Sequence, residues 1–261
     1  MLAKEGGERL GLESTLQLTG ALRNAAMTAA GADVPEWLSG HAQDGTPTKK
    51  PHVAFFPLPY VDAEHADGHV LGLAMAVPRG VERQPDFRRI LGGLLFDENG
   101  DDKVVHLWRS AKKGAAGELV WRWQLTRTSK HDARVALRME RWTRASKIWA
   151  SVTPVVLHHY PRKNREEDVV GIVEDAFASA EFPKPKKVMV GPVSYFLGAG
   201  HSREMPEFTE GGERMCRYQT HVVVEFDEPV EGPVLVGRGR FRGYGLCRPV
   251  RSEGDERSDD E

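Results

Sequence analysis

The sequence predicts an α+β protein of two tandem ferredoxin-like halves with antiparallel sheets. Three observations predict it. Short apolar or alternating runs recur along the chain, as paired strands do. Two amphipathic helical patterns, residues 82–94 and 165–180, each sit among such runs. Neither half shows the regular βαβα rhythm of a doubly wound sheet.

Leu16, Leu18, Leu22 and Ala26 mark a helix over 13–30, closed by Gly31. Residues 39–51 are a turn-rich loop. His52 to Pro57 starts a short apolar strand that Pro57 and Pro59 are expected to break. A second loop runs from Asp62 to Gly68, and Val70 to Val77 is a buried strand. The helix over 82–94 turns Phe87, Ile90, Leu91 and Leu94 inward. Val104 to Trp108 and Glu118 to Thr126 alternate as an antiparallel pair. Residues 127–147 are rich in basic side chains around Trp142 and have no clear period. Strands are expected at Ser151 to Leu157, Lys187 to Phe196 and Arg217 to Phe226, with the 165–180 helix between the first two. A polar loop covers 198–212, and a short strand, Pro233 to Val236, feeds a glycine-arginine segment. The domains read as an N-terminal helical extension (1–35), a first half (36–145), a second half (146–250) and an acidic, disordered tail (251–261).

With 261 residues and 40% hydrophobic residues, the chain can bury a substantial core. No apolar run approaches the ~20 residues that span a bilayer. A secretory signal is not visible either, so a cytoplasmic location is expected. Cys216 and Cys247 are the two cysteines, too few for a disulfide framework, and are expected to be reduced. The net charge of −2 hides an uneven distribution. Residues 252–261 carry a net −5, which leaves +3 for the remainder, and residues 233–251 hold five arginines and no acid. A local phosphate track is expected, not a wholly basic face.

That track centres on Gly237, Arg238, Gly239, Arg240, Phe241, Arg242, Gly243, Tyr244 and Gly245. Glycine permits close backbone approach and positive φ. Arginine pairs with phosphate and stacks on flat rings, and aromatic faces accept unpaired bases. Residue types and spacing therefore nominate all nine as RNA-binding. Pro249 and the acidic tail follow where a dinucleotide fingerprint would need a helix. The tryptophans of RWTRASKIWASVTPVVL (141–157) fit either base stacking or a core edge.

Four of the ten histidines, His41, His52, His65 and His69, lie in or beside the two loops of the first half. Three roles fit them. The first is a metal site, but His65 and His69 share a face only on a helix, which Gly68 opposes, and no HExxH motif is present. The second is hydrogen bonding to turn backbone. The third is metal-independent RNA cleavage, in which histidine takes the 2′-hydroxyl proton, another group protonates the leaving 5′-oxygen and cations stabilise the phosphorane. Lys49, Lys50 and Tyr60 are close in sequence. No cofactor motif appears.

The segments SGHAQDGTPTKKPHVAFFPLPYV, HADGHVLGLAMAVPRG, RWTRASKIWASVTPVVL and FDEPVEGPVLVGRGRFRGYGLCRP occur in this order. Together they resemble the CRISPR-associated fusion proteins of type I-U (also called I-G) systems, which join a Cas-five-like half to a Cas-six-like half. The similarity runs from about residue 36 to 249 and corresponds to the Cas-six-like part, of the RAMP superfamily. The resemblance implies tandem ferredoxin-like folds and metal-independent cleavage of CRISPR repeat RNA in precursor transcripts. The product would be mature guide RNA with a 2′,3′-cyclic phosphate, in an antiviral system. It also implies a surveillance complex whose partners are the crRNA and other subunits, with no membrane and no cofactor. Family members carry a Cas-five-like domain ahead of this region. Here only residues 1–38 precede Ser39, so that role would fall to a separate subunit or to another part of a longer fusion. On loop position the catalytic histidine is expected in the order His41, His65, His52, then His69. A non-catalytic crRNA-binding subunit is the alternative.

Overall fold

A computed structural model of the chain describes residues 1–110, 119–129, 132–162, 166–210, 213–214 and 218–250. Cys216 and the acidic tail lie outside the described residues. The chain forms two compact units: Met1–Arg138 together with Phe241–Gly243, and Met139–Arg240 together with the chain from Tyr244.

The first unit contains β1 (Leu2–Gly7), α1 (Thr15–Ala30), the one-turn α2 (Glu36–Ser39), β2 (Ala54–Pro59), β3 (Val70–Ala76), α3 (Pro85–Leu95), β4 (Val105–Ser110) and β5 (Leu119–Arg127). Its sheet runs β2-β3-β1-β5-β4, antiparallel at every pairing. Without the edge strand β4, the β1-α1-β2-β3-α3-β5 succession has the 4-1-3-2 order of a ferredoxin-like fold. Leu18, Leu22, Ala26 and Ala30 lie four apart along α1 and are all buried. They meet Leu2, Leu73, Leu107, Trp123 and Leu125 from the sheet in one core. Pro85 at the first turn and the buried Ile90 and Leu94 place α3 in the same layer.

Two elements differ from the sequence expectation. Residues 2–7, set apart there in an N-terminal extension, form the middle strand of the sheet. Lys4, Glu5, Gly6 and Gly7 carry no apolar alternation, so the strand leaves little trace in the sequence. Gly7 is required by geometry: its φ is +106°, and a Cβ there would lie 2.0 Å from the Arg122 carbonyl oxygen. Strand β2, in turn, continues through Pro57 to Pro59. It occupies the sheet edge, where a missing N–H breaks no ladder on the open side.

The second unit contains α4 (Glu140–Thr143), β6 (Ser146–Ser151), β7 (Val155–Val156), α5 (Glu166–Ser179), β8 (Lys187–Gly191), β9 (Thr209–Glu210), β10 (Glu213–Arg214), β11 (Gln219–Val230), β12 (Val234–Leu235) and β13 (Leu246–Pro249). β13, β6, β11 and β8 are consecutive neighbours, all antiparallel, which repeats the 4-1-3-2 order. β9 and β10 form a separate two-stranded sheet. Between β11 and β13, where a ferredoxin-like unit would place its second helix, stand β12 and the glycine-arginine segment. Val169, Val173 and Phe177 of α5 pack on Trp149, Val222, Val224, Phe226 and Cys247. Burial pushes the Cys247 thiol far up, which leaves it an inert core residue.

The strand expected from Ser151 begins at Ser146, and Trp142 and Trp149 are both core residues. Their basic neighbours obscured this in the sequence. The strand expected over 187–196 stops at Gly191, before Pro192. Among the described residues, no helix is long and apolar enough to cross a membrane.

His221 in β11 is 2% exposed, with Nδ1 3.0 Å from the Ser151 hydroxyl oxygen. Burial pushes its imidazole down to about 4 from an ordinary 6.5, outweighing the backbone contact to Ser151. The unfolded chain therefore takes up this proton at higher pH than the folded one. The second unit keeps the full contribution of neutral His221 above pH 6.5 and loses it as the pH falls toward about 4. The loss is at most about 3 kcal/mol. Urea midpoints compared between neutral pH and mildly acidic pH are expected to shift less in His221→Gln than in wild type. An equal shift in both would assign the acid sensitivity to other groups.

Candidate functional site

The site in the first unit is built on the loop between α1 and β2. Helix α2 ends at Gly40, whose φ of +73° is the left-handed cap, with its N–H donating to the Glu36 carbonyl. A Cβ at Gly40 would lie 2.9 Å from the His52 ring, so the glycine lets that ring pack against the turn. The loop then bonds to itself. Ala42 N–H donates to the Thr46 carbonyl, Thr48 N–H to the Gly40 carbonyl, and Asp44 accepts from both the amide and the hydroxyl of Thr46. Lys50 Nζ sits 2.8 Å from Glu36 Oε2, and with Thr48 it holds the Glu36 carboxyl below the usual carboxylate range.

His41 is exposed at the start of this loop. Its backbone N–H donates to the Ser39 hydroxyl, and its Nδ1 lies 3.0 Å from the Ser39 carbonyl oxygen. A carbonyl can only accept, so Nδ1 carries the proton and Nε2 is the basic nitrogen. His52 is half-buried, with Nδ1 3.2 Å from the Lys50 carbonyl. Its ring stacks on Phe241 at a centroid distance of 3.6 Å and an interplanar angle of 26°.

Phe241 belongs to the three-residue tip of the glycine-arginine segment that counts with the first unit. The Thr19 hydroxyl donates to the Arg242 carbonyl at 3.1 Å. Gly243, at φ +86°, is wedged so that a Cβ would meet Thr15 at 2.8 Å and Pro57 at 2.9 Å. Arg23 donates to the Ser39 carbonyl at 2.6 Å. Its proton affinity is pushed down by burial and then by the nearby Arg242. The structure therefore assembles His41, His52, Arg23, Phe241 and Arg242 at one end of β2, although the two histidines and the tip are far apart in sequence.

His65 and His69 are not part of that assembly. Both lie in the β2–β3 connection, at the other end of β2, where Tyr60 N–H donates to the His69 carbonyl. Six residues of strand put roughly 20 Å between the two ends. His65 is exposed. His69 Nδ1 donates to Asp67 Oδ1 at 2.5 Å, and Arg9 pairs with the other carboxylate oxygen. These two partners hold the Asp67 carboxyl well below the usual range. The sequence reading ranked His69 last and did not name Asp67 or Arg9. The signal was present, however, as an acid two residues before a histidine across a glycine turn (Gly68 φ +75°).

The remaining segment residues lie in the second unit. Gly237 and Gly245 have positive φ, and a Cβ at either would strike backbone, at 2.6 Å from Val156 O and 1.9 Å from Val236 O. A Cβ at Gly239 would meet Tyr244 at 2.7 Å. Tyr244 is fully buried, its hydroxyl on the Pro206 carbonyl and its ring against Phe208. These four residues have a structural explanation within the fold. Arg238 and Arg240 are half-buried, and burial pushes the proton affinity of Arg240 down.

The model of the CRISPR-associated protein, GSU0054 family, matches residues 5–249. The chain belongs to this CRISPR-associated family. The match begins within β1 and ends at Pro249 in β13, so it takes in the sheets of both units and the glycine-arginine segment. No curated protein and no solved structure matches the chain.

Proposed function

We propose that this CRISPR-associated chain is a metal-independent endoribonuclease that cuts CRISPR repeat RNA in precursor transcripts. The observation that carries the proposal is the seating of the Phe241–Gly243 tip beside His52 and the His41 loop. It puts a phosphate-pairing, ring-bearing segment next to imidazoles. His41 Nε2 takes the proton of the 2′-hydroxyl. The 2′-oxygen attacks the adjacent phosphorus, the bond to the 5′-oxygen breaks, and a protonated group returns a proton to that oxygen. Arg23 and Arg242 offset the charge that grows on the phosphoryl oxygens. The products are a 2′,3′-cyclic phosphate and a 5′-hydroxyl end. His52, stacked and half-buried, is a positioning residue for the tip.

The test is incubation with the cognate repeat RNA in EDTA. Cleavage is expected to proceed, and a 2′-deoxy substitution at the cut site to block it. Cleavage of the deoxy substrate, or its abolition by EDTA, overturns the mechanism. A purely crRNA-binding subunit is the second reading, favoured by the packing of the His52 ring between Gly40 and Phe241. It predicts salt-sensitive binding without cutting.

A further inference from the structure

His41 is held through Ser39. The His41 backbone N–H donates to the Ser39 hydroxyl, and that hydroxyl donates to the His41 carbonyl at 3.2 Å. The imidazole Nδ1 meets the Ser39 carbonyl oxygen at 3.0 Å. The same oxygen accepts a hydrogen bond from Arg23 Nη2 at 2.6 Å. A carbonyl oxygen has two lone pairs, and here a guanidinium and an imidazole share them. This oxygen is not carried by the exposed loop. Ser39 is the last residue of α2, whose Trp37 and Leu38 are buried in the core of the first unit. The Trp37 indole N–H donates to Asp86 of α3 at 3.2 Å, and the Trp37 carbonyl accepts from Val53 N–H at 2.8 Å. Gly40, in the left-handed region, then reverses the chain so that the His41 ring returns to the carbonyl two residues before it.

We propose that Arg23 is the positioning residue of the general base: from α1 it fixes the Ser39 carbonyl, and through that carbonyl it holds His41 in the Nδ1–H tautomer. The inference rests on the reading of His41 as the base and gives Arg23 a role distinct from its charge. The tautomer decides what the ring can do. An unheld histidine favours the proton on Nε2, which would turn a donor toward the 2′-hydroxyl where a base must offer a lone pair. The hydrogen bond made by one ring nitrogen sets the protonation of the other, so a fixed acceptor at Nδ1 keeps Nε2 basic. A guanidinium suits the task of fixing that acceptor. It has no lone pair to offer and does not deprotonate, so toward Ser39 it acts only as a donor. Its planar fork carries five N–H groups, so one can serve the carbonyl while others meet the phosphoryl oxygens.

The experiment reads the tautomer directly, without RNA, by nitrogen NMR of the full chain isotopically labelled at the histidine ring nitrogens. It is run at a pH alkaline enough for neutral imidazoles, and the His41 signals are identified by their loss in His41→Ala. In wild type Nδ1 is expected to resonate as the protonated nitrogen and Nε2 as the bare one. Arg23→Met keeps a long side chain and a good helix preference but removes the donor. It is expected to move His41 from almost entirely Nδ1–H to mostly Nε2–H. A merely structural arginine would lower the melting point without moving these signals. A His41 that stays Nδ1–H in Arg23→Met overturns the proposal. So does an Nε2–H form in wild type, a result that stands even where Arg23→Met does not fold. If the tautomer moves as expected and wild type cuts no repeat RNA in EDTA, the clamp stands and the proposed function falls. If wild type cuts in EDTA and the tautomer does not move, the clamp falls and the proposed function stands.

Discussion

His41→Ala is expected to lower the single-turnover rate of repeat-RNA cleavage by about 10² to 10⁴, the usual span for losing a general base, while leaving RNA affinity nearly unchanged. The side chain is exposed, its nearest fixed partner is the Ser39 carbonyl, and it supports no core residue. Its removal should therefore leave the fold intact, and thermal melting should confirm that. His69→Ala in the same assay makes the result decisive. The Arg9–Asp67–His69 cluster also fixes an imidazole with Nδ1 on an acceptor and a cation alongside. If His69→Ala abolishes cutting and His41→Ala does not, the active end of β2 is the hairpin end, and the assignment to the α1–β2 loop falls.

The second large effect is expected at Gly243. Alanine there must hold φ near +86°, which costs an L-residue about 1–2 kcal/mol. Its Cβ must also displace the Thr15 and Pro57 side chains, each closer than 3 Å. The tip then withdraws, taking Phe241 from the His52 ring and the Arg242 carbonyl from Thr19. Cleavage is expected to fall at least tenfold and the melting point by several degrees, a combination that neither lost chemistry nor lost stability alone would give. Gly92→Ala is the control. It lies inside α3, has no atom within 4 Å of the added Cβ and no positive φ, so alanine should stabilise the helix by about 0.5–1 kcal/mol. If Gly243→Ala cuts and melts like wild type, the tip is not seated as described.

Elements with a strong apolar period were legible. The four-residue spacing of Leu18, Leu22 and Ala26 marked α1, the face Val169, Ile172, Val173, Ala176 and Phe177 marked α5, and the alternation of β4 and β5 marked their hairpin. Elements whose residues answer to neighbours and not to a period were missed. β1 is a polar, glycine-ended run that becomes a strand because β3 and β5 flank it. β6 starts five residues early because Trp149, in a basic setting, turns inward. The candidate site divides in the same way. His41 and His52 stood out as histidines in a turn-rich loop, and the arginines of the glycine segment stood out by composition. That Phe241 lies on His52 is a contact without local signature. The reason for Gly243 is likewise invisible until Thr15, Thr19 and Pro57 surround it.

The seating of Phe241–Gly243 in the first unit has a consequence for how the protein is made. Residues 1–138 leave the ribosome with β1 to β5 complete and can collapse on their own core, yet the His52 ring then lacks its aromatic partner. At roughly 5–20 residues per second, about 10–40 s separate the synthesis of His52 from that of Phe241. The histidine loop is thus finished by residues translated long after it, and a nascent chain carrying a folded first unit has yet to receive part of its proposed active site.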